Sequence, residues 1–159
     1  MAWRFAPLDL DEALQLRALQ GLMQAVHAAD PAAPADPREP EELARGALEG
    51  EQWIGCWLGD DLVAALGSQP DADDELVTAI AWLGVHPAHR RQGLATLLLH
   101  ALRTALGGGS AASATVLEEQ TALRACLQQA AGLKEWRRWA ERREGRRLGW
   151  IKLGDLRLR

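Results

Sequence analysis

Tyrosine is absent from the 159 residues, phenylalanine occurs once and cysteine occurs twice. Two cysteines, Cys56 and Cys126, are too few for a disulfide framework or a cysteine-rich metal cluster, so we expect no bound metal. The leucine run near residue 97 is interrupted by His100 and Arg103, which makes it too short to span a membrane. The first residues, MAWRFAPLDLDEA, lack the basic and then apolar pattern of a signal peptide. These absences predict a cytoplasmic protein with no membrane partner.

Charge and length limit the function classes further. The formal net charge is −4, which disfavours a general nucleic-acid binder, so we expect no nucleic-acid partner. Hydrophobic residues make up 48% and charged residues 25%, which is ordinary for a globular chain. A chain of 159 residues can bury a sizeable core, and we expect a single domain over residues 1–159.

The hydrophobic patterning predicts strands and helices in an order typical of an α/β fold with one mixed sheet. Turn residues separate the segments, and no internal repeat is visible. The predicted segments are a strand at 3–8, a helix from Asp9 with Glu12 in a capping-box-like pattern, a proline-rich loop at 27–40, a helix from Pro40 closed by Gly50, a hairpin at 52–69, a strand at 76–85, a helix at 94–105, a strand at 111–117, a helix at 120–132 and a closing hairpin at 133–158.

The most informative stretch is HRRQGLATLLLHAL, residues 89–102. It follows a nearly continuous apolar run, residues 76–85, that is typical of a central strand buried on both faces. The first amides of a helix have no partner within the helix and lie at the positive end of its dipole. With Arg90 and Arg91 before it and Gly93 allowing a close backbone approach, this helix start predicts a phosphate site.

The longer stretch GVHPAHRRQGLATLLL resembles the signature of the GNAT acyltransferases, the GCN5-related N-acetyltransferases. In that family [Q/R]xxGx[G/A] usually follows V-x-P, and here Val85, Pro87, Arg90, Gly93 and Ala95 match. The element order extends the resemblance over almost the whole chain. It implies the GNAT fold, acetyl-CoA as coenzyme, and direct attack of an amine on the thioester carbonyl. The alternative for the motif alone is a solvated helix start with a glycine turn.

The resemblance also implies which residues hold the coenzyme. The pyrophosphate would lie against the backbone of the helix start, and the end of the preceding strand would separate from its neighbour and offer backbone groups to the pantetheine arm. The implied coenzyme-binding residues are Leu83, Gly84, Val85, Arg90, Arg91, Gln92, Gly93, Leu94, Ala95, Thr96, Thr121 and Gln128.

The family pattern is broken at the position of the general acid. Relatives often carry a tyrosine near the end of the next helix, where this chain has Gln128, and an asparagine where it has Thr121. An amide can hydrogen-bond to the sulfur but is not a useful acid. A thiol has a pKa of about 8.5, so the thiolate is a tolerable leaving group without help. Cys126 falls on the apolar face of this helix and is expected in the core.

The general base is also missing from its usual place. Many relatives carry a glutamate on the long central strand, but residues 76–85 contain no carboxylate. Glu118, Glu75 and Glu119 are candidates, each of which can equally be a surface charge. His27, expected in the loop after the first helix, is a further candidate or simply a solvated side chain.

For the acceptor site, the resemblance points to the first two helices, their loop and the last hairpin. Asp30 and Asp36 in the loop suit a cationic amine, whereas the hairpin arginines suit an anion or form a solvated surface. The resemblance also allows a homodimer through the last strands. The residues concerned are the arginines Arg137, Arg138, Arg142, Arg143, Arg146 and Arg147, and the tryptophans Trp53, Trp57, Trp136, Trp139 and Trp150, which either line a pocket or pack in the core.

Three functions remain open at this point. The first is an acetyl-CoA-dependent N-acetyltransferase acting on a small-molecule or protein amine, with Gln128 and Glu118 as the candidate catalytic residues. The second is a catalytically impaired GNAT-fold module that binds CoA, which the missing tyrosine and the carboxylate-free strand favour. The third is an interaction protein whose coenzyme groove is empty.

Overall fold

The computed structural model describes residues 2–30, 38–107 and 111–154. These residues form seven strands, four helices and one turn of 3-10 helix at Pro87–His89. The strands are β1 (Trp3–Pro7), β2 (Gln52–Leu58), β3 (Asp61–Pro70), β4 (Val77–Val85), β5 (Ala111–Leu117), β6 (Lys134–Arg143) and β7 (Arg146–Gly154), and the helices are α1 (Ala13–Ala29), α2 (Pro40–Leu48), α3 (Leu94–Leu106) and α4 (Thr121–Ala130).

All seven strands belong to one mixed sheet in the order β1-β2-β3-β4-β5-β7-β6. The β4–β5 pair is parallel, and every other neighbouring pair is antiparallel. A parallel pair needs a crossover between its strands, and α3 supplies it. The predicted α/β fold with a mixed sheet is confirmed.

Two apolar layers cover the sheet, one on each face. On one face α3 and α4 pack against residues such as Ile80 and Ile151. On the other face α1 and α2 pack against Trp53 and Ala65. None of the helices within the described ranges is long and apolar enough to cross a membrane.

Most of the predicted boundaries are confirmed, with differences in the first helix. This helix begins at Ala13 after an N-cap at Glu12 that makes no side-chain hydrogen bond, so the Asp9 capping box is wrong. The helix runs to Ala29 and therefore includes His27, which was expected in a loop. It stops where Asp30 precedes a proline in the sequence, a position that disfavours helical backbone. Most of the proline-rich loop, including Asp36, lies outside the described residues.

The burial of β4 also differs from the expectation. A strand buried on both faces was predicted, but most of its residues are half-buried and Ala81 is exposed. The reason is that the second half of β4 borders an open cleft.

Candidate active site

A cleft opens where β4 and β5 separate. Their pairing runs from Val77–Ala111 to Ile80–Ala114, and within the described residues it does not continue beyond that point. The backbone of residues 81–85 therefore has no β5 partner on that edge. Exposed strand edges of this kind offer N–H and C=O groups to a ligand. The separation that the sequence implied for Leu83 to Val85 is present.

A β-bulge lies at the same place. Across from β4, Gly67 pairs with Trp82 while Ser68 pairs with Ile80, which leaves Ala81 as an extra residue. A bulge bends the strand and changes which face the following side chains occupy. Trp82 packs with the layer of α1, whereas Ile80 and Leu83 pack with the layer of α3. The bulge thus helps to divide the two strands and opens the cleft.

The cleft has a volume of about 1020 Å³ and reaches from α3 and α4 on one side of the sheet to the end of α1 on the other. That volume is in the range of small-molecule and cofactor sites. Of the residues that the sequence proposed for the coenzyme, Gln92 and Gln128 do not line it. Those that do are Leu83, Gly84, Val85, Arg90, Arg91, Gly93, Leu94, Ala95, Thr96 and Thr121.

The start of α3 forms the first end of the cleft. Arg91 and Gly93 both adopt left-handed backbone conformations, with φ of 65° and 75°. These two residues turn the chain sharply just before α3, and alternating conformations of this kind make concave arrays of N–H groups that bind anions. The exposed Arg90 is held close by, because its Nε donates to the Val85 carbonyl at 3.3 Å. This end can hold a phosphate group.

Gly93 is required here for its backbone conformation. A Cβ added at this residue would meet no atom within 4 Å, so there is room for a side chain in the protein alone. Its φ of 75° is strained for other L-residues, which rarely occupy that region. The close approach that the sequence proposed applies to a bound phosphate and not to protein neighbours.

The first turn of α4 and its apolar face form the wall beside this end. Thr121, Leu123, Cys126 and Leu127 line the cleft. Cys126 is half-buried and packs against the core, as expected, but it also borders the cleft and its side chain is hydrogen-bonded to Thr96. Burial raises the pKa of the Cys126 thiol, and the hydrogen bond with Thr96 partly offsets this.

The two candidate catalytic residues are not brought into the cleft. Gln128 shares a helical face with Thr121 but lies seven residues further on, about 10 Å along the helix axis, and it is exposed. Glu118 lies over Gly149 and forms ion pairs with Arg138 at 3.6 Å and Arg147 at 3.5 Å. It joins the end of β5 to the last hairpin. Of the other candidate bases, Glu119 and His27 line the cleft.

A buried polar cluster that the sequence did not reveal lies at the second end of the cleft. Asp71 follows β3, and its carboxylate accepts hydrogen bonds from the Ser113 hydroxyl and, at 3.0 Å, from Lys152 Nζ. Lys152 Nζ also lies 2.9 Å from Asp73 Oδ2 and 5.3 Å from the ring centroid of Trp136. The one available signal was a polar residue within each of two apolar strands, Ser113 in AASATVL and Lys152 in GWIKLG.

A second buried ion pair lies nearby. Glu51 is 6% exposed and forms an ion pair with Arg38 at 3.0 Å. Glu51 also accepts a hydrogen bond from Trp53 Nε1 at 3.1 Å, and the Arg38 guanidinium lies 5.4 Å from the Trp53 ring centroid. Arg38 and Glu51 both line the cleft, and each neutralises the other there.

Two tryptophans line the second end of the cleft. The ring of Trp82 folds over Gly84, where an added Cβ would clash with the indole, so this position needs glycine. Trp150 stacks on Trp139 with ring centroids 6.5 Å apart. Of the five tryptophans proposed from the sequence, Trp150 lines the cleft and Trp53 and Trp57 are core residues. Trp136 and Trp139 lie on β6, and Trp82 was not foreseen.

Most of the hairpin arginines are engaged in ion pairs. Arg146 pairs with Glu119 at 3.5 Å, and Arg143 pairs with Glu141 at 3.0 Å. The side chains on both sides are largely exposed, so these pairs add little to stability. The hairpin therefore resembles the solvated surface considered above more than an anion site.

Comparison with known proteins agrees with this geometry. Residues 19–133 match the sequence model of the acetyltransferase (GNAT) family. The ribosomal-protein-S18-alanine N-acetyltransferase from Escherichia coli superposes with a TM-score of 0.75 at 20% identity, over 96% of this chain and 92% of that one. The yncA protein from Salmonella typhimurium, solved with its cofactor acetyl-CoA, has a TM-score of 0.77 at 16% identity, over 100% and 95%. A GNAT-family acetyltransferase from Streptococcus pneumoniae has a TM-score of 0.76 at 15% identity, over 97% and 99%.

No curated protein matches the chain. The likeness to the solved structures concerns the fold, whereas the family assignment comes from the sequence match, which covers more than half of the chain. Acetyl-CoA is the coenzyme of that family, and the turn before α3, the open edge of β4 and the cleft volume fit such a molecule. The chain belongs to the GNAT acetyltransferase family.

Proposed function

We propose that this protein is an acetyl-CoA-dependent N-acetyltransferase that transfers the acetyl group directly to an amine of a small molecule or a protein. The observation that carries the proposal is the continuity of one cleft from the left-handed turn at Arg91 and Gly93 to the second end beside Trp82. A single cleft of this form brings a coenzyme and an acceptor together without an enzyme nucleophile between them.

The first end of the cleft holds the coenzyme in this proposal. The backbone amides of the turn and of the first residues of α3 bind the pyrophosphate, and Arg90 and Arg91 add positive charge. The free edge of β4, with Leu83 and Val85, hydrogen-bonds to the pantetheine arm. Acetyl-CoA supplies an activated acetyl thioester when it is bound. The β4 backbone orients the carbonyl, and its N–H groups favour negative charge on the oxygen.

Release of the thiolate needs no acid from the protein in this proposal. Gln128 is exposed and does not line the cleft, and an amide has no acidic proton. A thiolate of ordinary pKa, about 8.5, leaves without protonation at a modest cost in rate. Burial raises the pKa of the Cys126 thiol, which favours its neutral form over the thiolate.

The acceptor must lose a proton before or during the attack on the carbonyl. We assign this step to water in the cleft, with His27 as the base that lines it; Glu119 also lines it but is paired with Arg146. Glu118 is held by Arg138 and Arg147, and Glu75 does not line the cleft. In the overall reaction a carbon–nitrogen bond forms and the carbon–sulfur bond breaks, which releases the CoA thiolate. The proton of the amine passes to water.

The test is an acetyl-transfer assay with purified protein, acetyl-CoA and a panel of amines. Free thiol and the N-acetylated product are measured together, so that hydrolysis is distinguished from transfer. We expect thiol release that depends on the amine and is matched by equal amounts of amide. Coenzyme binding without amide formation on any amine, including peptide N-termini, contradicts the proposal and favours the CoA-binding module.

A further inference from the structure

The second end of the cleft, where the proposed function places the acceptor, has a distinctive balance of charge. Three carboxylates of the described residues line it together with two permanently cationic side chains, Arg38 and Lys152. A further cleft carboxylate, Glu119, is paired with Arg146 at 3.5 Å. Both cations of the second end are already paired within the protein. The three carboxylates are Asp30, Glu51 and Asp71.

The pairing of the two cations leaves the subsite negative. Glu51 neutralises Arg38, and both are fixed by the ring of Trp53. Lys152 lies between two carboxylates, Asp71 and Asp73, so that this cluster retains one negative charge. A cation held by two carboxylates is a poor partner for a third anion.

The end of α1 adds to the same field. Asp30 is the C-cap residue of α1 and lines the cleft. The C-terminal end of a helix carries partial negative charge on its last carbonyls and favours a cation. His27 in the last turn is the one other basic group from α1 at this end.

The apolar part of the subsite comes from aromatic and aliphatic side chains. Trp82 is held by Gly84 and Trp53, with the two indole centroids 6.1 Å apart. Trp150 is fixed by its stack on Trp139 and by donation of its Nε1–H to Glu141 at 3.0 Å. Pre-ordered indole rings bind apolar groups and attract ammonium groups through their faces. Met23 and Val26 of α1 extend the apolar lining.

We infer that the acceptor is a small cationic primary amine on an aromatic or large aliphatic body, without a carboxylate beside the amine. The negative field attracts the ammonium group and rejects an α-carboxylate, and the two tryptophans hold the apolar body. This inference rests on the proposed function, which supplies the coenzyme at the other end of the cleft, and it narrows the amine to one class.

The experiment is calorimetric titration of the protein saturated with free CoA, which cannot turn over. Tryptamine, tryptophanamide, tryptophan and indole-3-propionate share the indole and differ in charge, and ethylamine has the charge without the body. Work near pH 6.5 keeps the amino group of tryptophanamide, which resembles an α-amino group of pKa about 7.7–8.0, mostly protonated, so that this ligand carries the ammonium charge under test. Tryptophanamide has the bulk of tryptophan without its carboxylate and therefore separates charge from size.

We expect tryptamine and tryptophanamide to bind at least about tenfold more tightly than tryptophan, indole-3-propionate and ethylamine, a difference of about 1.4 kcal/mol. Equal or tighter binding of tryptophan or indole-3-propionate, or binding of none of the five, overturns the inference. If ethylamine binds as tightly as tryptamine, the part of the inference that concerns the apolar body of the acceptor is overturned. If CoA itself does not bind, the proposed function fails, and the same series on the free protein then tests the amine preference separately by the same criteria.

A matched pair of variants tests whether Asp30 causes the preference for tryptamine over tryptophan. Asp30→Asn removes a charge that lines the cleft, and Asp60→Asn removes an exposed charge in the turn between β2 and β3. We expect Asp30→Asn to narrow the difference between tryptamine and tryptophan, and Asp60→Asn to leave it unchanged. An identical preference in both variants and the wild type contradicts the role of Asp30.

Discussion

Lys152 and Asp71 form a buried ion pair beneath the cleft, with Lys152 Nζ 3.0 Å from Asp71 Oδ1 and side chains only 9% and 4% exposed. Eighty-one residues separate the two in the chain. The pair joins the end of β3 to β7, and the Ser113 hydroxyl ties β5 to the same carboxylate. The pair therefore holds three parts of the sheet together at the second end of the cleft.

Removing one partner of this pair is expected to destabilise the protein strongly. Lys152→Met leaves the buried Asp71 carboxylate without its cation, which typically costs about 3–5 kcal/mol. Asp71→Leu leaves Lys152 with only the more exposed Asp73 as its partner, so its cost is expected to be smaller but still clear. The double variant Lys152→Met/Asp71→Leu removes both charges and is expected to recover most of the loss. Urea unfolding measures the effect, with Arg138→Met as the control, because its ion pairs with Glu135 and Glu118 lie at the surface and contribute little to stability. Single variants as stable as this control contradict the role of the pair.

The pair also predicts a pH dependence of stability. Burial raises the pKa of Asp71, but hydrogen bonds from Ser113, the Asp73 N–H and Lys152 outweigh it, so the pKa is lowered overall. Burial lowers the pKa of Lys152, and the two carboxylates outweigh that and raise it. The Asp71 contribution is thus present above an unfolded pKa of about 3.9 and is lost as pH falls further, and the Lys152 contribution is present below about 10.4 and is lost as pH rises further.

The double variant provides the reference for this pH dependence. The difference in unfolding free energy between the wild type and Lys152→Met/Asp71→Leu is expected to be constant from about pH 5 to 9. Below about pH 4 and above about pH 10.5 the wild type is expected to lose stability relative to the double variant. A difference that is flat over the whole range contradicts the opposite pKa shifts of the two groups.

Substitutions at Gly93 and Gly107 can be compared to separate the effect of backbone strain on stability from an effect on CoA binding. Both glycines have positive φ, 75° and 81°, at opposite ends of α3, and a Cβ at either meets no atom within 4 Å. Gly93→Val and Gly107→Val are each expected to cost about 1–3 kcal/mol of stability through strain. Only Gly93→Val is expected to weaken CoA binding, by at least about tenfold, because its side chain blocks the approach of the pyrophosphate. Unchanged CoA affinity in Gly93→Val shows that the phosphate site lies elsewhere.

A substitution at Gln128 tests whether the departing CoA thiolate needs a proton from a side chain of the protein. Because the side chain is exposed and does not line the cleft, Gln128→Tyr is expected to leave the acetyl-transfer rate at neutral pH unchanged. The neighbouring exposed Gln129→Tyr serves as the control for a surface tyrosine on α4. A specific gain in Gln128→Tyr of about 10²-fold or more, the size of general acid catalysis, contradicts unassisted departure.

The features that could be predicted from the sequence are local ones. The leucine stripe of α3 and the residues 89–95 before and within its first turn lie next to each other in the chain, so their pattern reports their structure directly. The order of elements then indicated a mixed sheet, which the structure has.

The features that the sequence did not reveal depend on distant partners. The bulge at Ala81 exists only in the register of β4 against Gly67 and Ser68. The cluster of Asp71, Ser113 and Lys152 brings together three separate segments. Pairing between such positions leaves no periodic pattern in the chain.

Helical spacing was also insufficient to place side chains relative to the cleft. Thr121 and Gln128 share a face of α4, but only Thr121 lines the cleft. Further along the helix the lining residues are Cys126 and Leu127, which lie on its apolar face. The position of Trp82 could not be predicted from spacing either. Its ring is held at the cleft by contacts with Gly84 on β4 and Trp53 on β2.

The central claim is that the cleft between β4 and β5, entered at the start of α3, binds acetyl-CoA. Titration calorimetry of the purified protein with acetyl-CoA, and with free CoA in parallel, tests this directly. We expect both to bind with one site per chain and a dissociation constant in the micromolar range, about −8 kcal/mol. No detectable binding of either molecule contradicts the account.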